Sequence, residues 1–477
     1  MKVFIYCIIG IIVFMNYSCG DFLSNYPKDQ VYPSCLEDFN ELLAGEGYAK
    51  INADELGIWF FLMDDDVFYE AESSPVLNVN SYYWDIEDSY RVNCWRNFYK
   101  HISVTNVVLD GIEKFKDSGK ELYHRIQGEA YFLRGAYYYY LVNLYAKPYS
   151  KVSASRDLGV PLKLDPVVNG REYSRNSVEE VYQSIVADLT RAVGYLKGIE
   201  KRSPYRASEM GARLLLSRVF LYMERWEDAF CQCDTIIRSV SDGLLDYTAF
   251  TSTNVNVLSA KSIETLFSSG QNHYRSYYWR GGWLNKDHFR VSDELLALYD
   301  ESDLRLFYFY HDKKVPLKVW QVSADDYISD YFILRTPEAY LNAAEAAIML
   351  GKEHEAVKLV QKLRSKRIKP GFLKDITLQG RDLLDFIRDE RRREYAFEGQ
   401  RWFDLRRYAV ASRWASQKEI RHAYYNTKGQ RLGDVVLKKY EEDFPYYVLL
   451  IPEDEILLNN GALIQNDLRD KKEPIMM

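Results

Sequence analysis

Apolar and polar positions along this chain of 477 residues recur mainly with the period of a helix. In GEAYFLRGAYYYYLVNLYA, part of a periodic stretch that begins at Glu121, apolar and aromatic residues lie nearly all round, which predicts a central helix. Upstream, Trp95, Tyr99, Ile102, Asn106 and Leu109 recur at spacings of three and four and predict an amphipathic helix. Downstream, SVEEVYQSIVADLTRAVGYL predicts another, opened by Ser177 with Glu180 three residues on as a capping box. The intervening AKPYSKVSASRDLGVPLKLDP reads as a loop. Residues 36–61 are only weakly periodic, and MDDDVF then leads into a Ser-, Asn- and Pro-rich loop to about Asn80. Residues 241–333 carry short β-like runs, and the chain from Ala423 reads as irregular.

Two segments repeat one another. In GARLLLSRVFLYMERWEDAFCQCDTII, Ser217 and Phe220 precede Ala229, which lies twelve residues after the serine. In YLNAAEAAIMLGKEHEAVKLVQKLR, Ala344 and Ala347 precede Ala356 at the same spacing. Small residues on a first helix, a turn, and Ala on a second form a tetratricopeptide-like pattern, because they let antiparallel helices approach closely. Two further pairs are expected, over about 125–197 and 381–415. One helix pair cannot bury its own apolar face, so the four are expected to stack into a right-handed superhelix. The predicted architecture is mostly α, with repeats over about 121–240 and 334–415. A loop-rich cap with short β-strands, drawn from about 36–120, 241–333 and 416–477, wraps one side, so that 36–477 forms one domain.

The first residues bear on the compartment. Lys2 is followed by an apolar run shorter than the ~20 residues that span a bilayer, and Ser18 directly precedes Cys19. A small residue before Cys suits lipoprotein signal peptidase, so residues 1–18 read as a signal peptide, Cys19 as the lipidation site and 19–35 as a tether. No later stretch is long and apolar enough to span a membrane. The net charge of −7, without a basic block, gives no electrostatic reason to expect nucleic-acid binding. Cys35, Cys94, Cys231 and Cys233 are too sparse for a disulfide scaffold; Cys35 and Cys94 are expected to stay unpaired, and Cys231 and Cys233 to serve as small core residues.

The most concentrated chemistry is IRDERRREYAFEGQRWFDLRRYA, residues 387–409. Glu390, Glu394 and Glu398 fall four apart on one helical face with Arg391 and other arginines interleaved, and Gly399 supplies a left-handed stop. Acid catalysis needs a carboxyl in an apolar setting opposite a second one. Here every carboxylate has an arginine within helical reach, which would hold its pKa down. The reading is therefore a partly buried network locking two helices, completed by Arg401 and Asp404. Asp64, Asp65 and Asp66 have no EF-hand spacing and read as a solvated acidic loop or helix cap. No metal-ligand spacing, phosphate loop or nucleophile motif is present, so neither metal nor cofactor is expected.

ERRREYAFEGQRWFDLRRY resembles the hallmark segment of the RagB/SusD family of outer-membrane nutrient-binding lipoproteins. The resemblance runs through SCGDFL, MDDDV, WRNFYKHISVTNVVLD, GEAYFLRGAYYYYLVNLYAKPY, RTPEAYLNAAEA and LLIPEDEILLNNGALIQN, in the family's order. It implies a lipid-anchored protein on the external face of the outer membrane. It also implies no catalysis, and a partnership with a SusC-like TonB-dependent transporter to which captured glycan or other nutrient is delivered. An adaptor that holds a protein or peptide in its repeats is the competing function, and a glycoside hydrolase a third.

Glycan recognition stacks a flat aromatic face on a sugar ring and adds planar hydrogen-bonding groups. The chain has 40 Tyr and 9 Trp, and composition alone does not divide them between core and ligand. Two loop segments offer the right combination. One carries Tyr82, Tyr83, Trp84 and Asp85. The other carries Tyr277, Tyr278, Trp279, Arg280, Trp283 and Asn285, with Gly281 and Gly282 as an exposed turn.

Overall fold

The computed structural model describes residues 33–49, 56, 58–69, 79–117, 120–240, 243–270, 289–311, 315–320, 326 and 328–477. The proposed signal peptide, Cys19 and most of the tether lie outside the described residues. The main helices are α1 (Leu36–Leu42), in the weakly periodic stretch, and α2 (Asp88–Gly111), α3 (Lys120–Tyr145), α4 (Val178–Leu196), α5 (Glu209–Tyr222) and α6 (Trp226–Ser239), where the periodicity is clear. They continue as α7 (Thr336–Met349), α8 (Glu353–Arg364), α9 (Gly380–Tyr395), α10 (Arg401–Ala409) and α11 (Glu453–Leu458).

Helix α3 is buried nearly all round, and its tyrosines explain how an aromatic helix can be central. A buried phenol needs a partner for its hydroxyl, and here each partner is a different segment. The Tyr137 hydroxyl donates to Gly47 O at 2.6 Å, Tyr138 to Lys163 O at 2.8 Å and Tyr140 to Tyr331 O at 3.1 Å. These bonds tie the N-terminal segment, the loop after α3 and the chain at Tyr331, shortly before α7, to the core. On its other side α3 packs closely against α4. A Cβ at Gly128 would lie 2.5 Å from Leu196 Cγ. Helix α4 begins with the predicted capping box: Glu180 N donates to Ser177 Oγ at 3.2 Å and Ser177 N to Glu180 Oε2 at 2.7 Å.

The repeated spacing gives the same hairpin twice. Ser217, Ala229, Ala344, Ala347 and Ala356 are fully buried where the helices meet. Seven residues after Ser217 and after Ala344, the turns place Glu224 (φ 53°) and Gly351 (φ 75°) in the left-handed region. The pairs α5/α6 and α7/α8 also meet each other, Asn342 Nδ2 donating to Ser217 Oγ at 3.0 Å. With α3/α4 and α9/α10 they form the four expected helix pairs.

The cap holds short antiparallel strands: β1 (Val67–Tyr69) with β3 (Phe289–Val291), β2 (Thr265–Ser268) with β6 (Ile333–Arg335), and β4 (Tyr310–His311) with β5 (Val315–Pro316). The C-terminal region is less irregular than its sequence suggests. A hairpin of β7 (Ile420–Tyr425) and β8 (Arg431–Leu437) is joined by β9 (Ile475–Met476). Its strands mix polar and apolar residues on both faces, so they carry no alternation to read. Among the described residues Cys35, Cys94, Cys231 and Cys233 form no disulfide; Cys233 is in the core, whereas Cys231, expected there too, is exposed.

The glutamates of the 387–409 network are fully buried, and their partners are mostly remote in sequence. Glu394 accepts from Arg305 Nη1 at 3.1 Å, Arg335 Nη1 at 3.2 Å and Arg367 Nη2 at 3.0 Å. Glu264 receives the same Arg335 and Arg367 at 2.9 and 2.7 Å. Glu398 takes Arg335 at 2.7 Å and Lys318 Nζ at 2.6 Å. Within α9 itself, only Arg393 serves this glutamate face, at 2.7 Å from Glu390. Arg391 instead reaches Asp404 at 3.0 Å, joining α9 to α10. Gly399 has the left-handed φ expected of it, 68°, and a Cβ there would lie 3.0 Å from Tyr331 O.

Asp64, Asp65 and Asp66 are a correction: they are buried, not solvated. Asp65 is held by Arg401 at 2.7 and 2.8 Å and by Lys418 at 2.6 Å, and Asp66 by Arg392 at 2.7 Å. Arg401 thus serves the aspartates and not the glutamates. These contacts dock the N-terminal segment on α9 and α10. Burial pushes the Asp65 carboxyl up, but Arg392, Arg401 and Lys418 bring it well below the usual range. Among the described residues Asp64 has no cation in direct contact; burial followed by repulsion from Asp66 and Asp65 holds its pKa well above the usual range, against the opposing Asp66 N–H and the more distant Arg401.

Two substitutions test this charge pattern. In Glu394, burial raises the pKa and is outweighed by Arg367 and Arg335, which leave it well below normal. Glu394→Gln is expected to cost about 3–5 kcal/mol at pH 7, the scale for stripping one partner from a buried pair. Asp234→Asn, at the exposed pair with Arg238, should cost under about 1 kcal/mol. The Glu394 contribution is present above the unfolded pKa near 4.3 and disappears as pH falls through the lower folded value, so urea unfolding at pH 7 and below pH 4 should narrow the gap between wild type and Glu394→Gln. Asp64 has the opposite sign, its stabilisation being greatest below about pH 3.9 and lost as pH rises towards the raised folded value. Asp64→Asn should therefore raise the melting temperature at pH 8 relative to wild type, with a smaller difference at pH 4; equal destabilisation at both would show that Asp64 is needed as an ion.

Candidate ligand-binding site

The first predicted aromatic segment does not present its rings to solvent. A short helix (Val79–Tyr82) ends in a turn at Trp84, whose φ is 59°. His422 of β7 then enters between Tyr82 and Trp84, with ring centroids 3.8 and 4.4 Å away and planes 2° and 10° from parallel. Both aromatics are 1% exposed, and Trp84 Nε1 donates to Met63 O at 2.8 Å. Burial lowers the His422 pKa to about 4, so a neutral imidazole fills this stack at neutral pH. Tyr83 is buried at the edge and donates to Ala423 O at 3.1 Å. Asp85 is half-buried and pairs with Lys471 at 3.2 Å. Tyr82, Tyr83 and Trp84 thus pin the C-terminal hairpin to the cap, because their ring faces are already covered. The second segment, with Tyr277, Tyr278, Trp279, Arg280, Trp283 and Asn285, lies outside the described residues.

A cavity of about 260 Å³ offers aromatic faces that the sequence did not single out. It is lined by Phe307, Tyr308, Tyr310, Leu317 and Trp320, with Thr253 and Asn254 on its rim. Phe307 is 41% exposed, and Trp320 is half-buried. The buried charges set both rings. Phe307 stands two residues after Arg305, whose guanidinium is fixed by Asp303 and Glu394. Trp320 stands two residues after Lys318, whose ammonium donates to Glu398 Oε1 at 2.6 Å and Glu394 O at 2.9 Å. Burial lowers the Lys318 pKa to about 8, with Glu398 opposing the shift. At the far wall, the Tyr310 and Tyr299 hydroxyls are 2.8 Å apart. Apolar ring faces beside the Asn254 amide and the Thr253 hydroxyl form an amphipathic surface suited to a sugar ring. A lone Trp in KKVPLKVWQVS gives no periodic or clustered signal, which is why its role could be found only through the tertiary fold.

A second cavity, about 230 Å³, is polar and lies where α9, α10 and β7 converge. Its acids all face cations. Glu294 is 2.8 Å from Arg392 and 2.5 Å from Lys418, and Asp385 is 3.7 Å from Arg388. Burial raises the Asp389 pKa, but Arg393, Arg392 and Arg401 all act against the shift. The neighbouring aspartates gather their oxygens within 4.8 Å of one another, yet the guanidiniums of Arg392 and Arg401 and the Lys418 ammonium already engage Asp65 and Asp66. A cation entering there would displace three fixed positive charges, so the donor set does not fit a metal ion.

The sequence and fold have clear relatives. Residues 295–468 match a model described as the SusD family, and residues 23–221 match one described as starch-binding and associating with the outer membrane. Over 96% of this chain and 97% of the relative, the sequence is 22% identical to SusD-like protein P25 of Formosa agariphila. A putative sugar binding protein from Bacteroides vulgatus has a TM-score of 0.73 at 22% identity, covering 92% of this chain and 99% of that one. A SusD superfamily protein from Bacteroides thetaiotaomicron has a TM-score of 0.70 at 23% identity, covering 91% and 98%. Among the described residues, no helix is long and apolar enough to cross a membrane. The four helix pairs, the buried 387–409 network and matches at both ends of the chain lead to one conclusion: this protein belongs to the SusD family.

Proposed function

We propose that this protein captures carbohydrate at the outer surface of the cell and passes it, chemically unchanged, to a SusC-like TonB-dependent transporter. The observation that carries this reading is the aromatic cavity of Phe307 and Trp320, open to solvent and set by buried ion pairs. A rigid scaffold holding exposed rings loses little freedom when a sugar binds, so modest contacts suffice. The matched model's description as starch-binding and the sugar-binding relative support the ligand class. Trp279 and Trp283, which lie outside the described residues, are proposed as further ligand contacts from their sequence alone. The paired acids of the polar cavity favour binding over hydrolysis. Lipid on Cys19 would keep the domain beside its transporter through the 19–35 tether.

Affinity gel electrophoresis of the mature protein against amylopectin, xylan, laminarin and pectin tests the proposal. At least one polymer should retard the wild type, and Trp320→Ala and Phe307→Ala should each weaken that binding about tenfold, near 1.4 kcal/mol. Trp279→Ala and Trp283→Ala should act in the same direction, and chromatography should recover the polymer unshortened. Retardation unchanged in all four variants would move the site elsewhere, and shortened polymer would overturn the non-catalytic reading. In cells, Cys19→Ala should shift the protein from the membrane to the soluble fraction. Co-purification with a soluble protein in place of a large β-barrel would favour a tetratricopeptide-like adaptor.

A further inference from the structure

A third cavity, of about 280 Å³, shares no residue with the other two. Its floor is apolar. Half-buried Tyr99 stands one turn after Trp95 on α2, and Pro161 and Leu463 complete it; Trp95 is only 3% exposed and supports Tyr99 from beneath the surface, their ring centroids 4.9 Å apart. Trp95 is itself wedged against Tyr145, with centroids 5.0 Å apart and planes at 85°. The rim is polar and comes from three separate segments: Arg96 on α2, Lys163 and Tyr173 in the loop after α3, and Glu455 on α11.

These segments are already locked together. The Tyr99 hydroxyl donates to Pro161 O at 2.7 Å, and Tyr173 N to Asn459 Oδ1 at 2.9 Å. Buried Arg175 donates to Ile464 O at 3.0 Å and Asn466 Oδ1 at 2.9 Å. The hollow therefore persists without a ligand to hold it open, as preformed binding sites do.

The charges select the ligand class. Lys163 is neutralised by Asp165 at 3.0 Å, and its ammonium lies 5.4 Å from the Tyr173 ring centroid. Arg96 meets Asp454 at 3.2 Å and Glu455 at 3.5 Å. Both cations are matched, so nothing at the rim favours a charged guest. The 3.5 Å Arg96–Glu455 contact is at the long limit of a hydrogen bond. A diol can enter such a pair, accepting from the guanidinium and donating to the carboxylate. An aromatic floor below a paired donor and acceptor fits the apolar face and hydroxyl edge of a pyranose or furanose ring. The volume, about 280 Å³, is just below the usual range of ligand cavities, about 300–1,000 Å³, which limits the guest to about one sugar unit.

We infer that this cavity is a second carbohydrate site, which binds one neutral sugar unit of a longer chain over Tyr99 between Arg96 and Glu455. It takes its ligand class from the carbohydrate-capture reading above, but it rests on different residues. Two sites on one scaffold convert a second contact with the same polymer into an intramolecular event, raising affinity for long chains more than for short ones.

Saturation-transfer NMR on the mature protein carrying Trp320→Ala, with the methyl glycosides of glucose, galactose, mannose, xylose and arabinose as probes, isolates this cavity. At least one glycoside should give signal in that background, and adding Arg96→Ala, Glu455→Ala or Tyr173→Ala should reduce it at least fivefold. Arg96 is half exposed, so its truncation leaves folding intact, and circular dichroism melts identify any variant that unfolds. Absence of signal from every glycoside, or signal indifferent to Arg96→Ala and Glu455→Ala, overturns the second site. If the wild type still binds polysaccharide in gels, only this inference falls; if it binds none, the capture reading falls first.

Discussion

Three guanidiniums converge on the buried carboxylate of Glu394, and most of the architecture depends on that meeting. Arg305 comes from the cap, Arg335 from the end of β6, and Arg367 from the chain just beyond α8. Charges of this kind are expensive to remove from water, and the cost is recovered only when every partner arrives with good geometry. The arrangement therefore couples segments that few apolar contacts would hold in register. Glu264 extends the coupling to β2 by sharing Arg335 and Arg367 with Glu394. A second branch runs from Arg392 and Arg401 to Asp65 and Asp66, joining the N-terminal segment to the same helices.

This buried framework gives the proposed sugar surface its rigidity. Loops are natural carriers of recognition residues, but a loop that must be ordered by its ligand loses affinity to the ordering. Phe307 and Trp320 avoid much of that loss because Arg305 and Lys318, two residues earlier in each case, are tied to Glu394 and Glu398. The hallmark segment thus serves binding indirectly. Its contribution to the proposed site is to fix where the loops that carry Phe307 and Trp320 stand.

Periodicity and spacing revealed much of this fold and little of its ligand surface. The helix pairs were legible because twelve-residue spacings such as Ser217 to Ala229 are local, and the Ser177–Glu180 cap is a three-residue signal. The glutamate face of α9 was also legible. Its partners were not: helical reach nominated the arginines of α9, whereas Arg305 lies 89 residues from Glu394 and Arg335 lies 59 away. The same limitation hid the fate of the Asp64–Asp66 run, whose cations come from α9, α10 and the segment before β7. Three consecutive acids look solvated until a remote arginine is seen beside them.

Aromatic residues show the most demanding form of this problem. Tyr82 and Trp84 have the composition of a sugar platform, but His422, 340 residues from Tyr82, fills the space between their rings. Trp320 has no aromatic neighbour in sequence, and it gains Phe307 and Tyr308 only through folding. The tyrosines of α3 resolve the ambiguity in the other direction, because their hydroxyls are spent on backbone carbonyls of neighbouring segments. What separates a structural ring from a recognition ring is thus whether folding leaves one face open beside an uncommitted polar group. That property belongs to the assembled surface: Phe307, 41% exposed, has it at the cap through residues brought from several loops, whereas Tyr99 has spent its hydroxyl on Pro161 O and can offer only its ring, where α11 closes over the loop after α3.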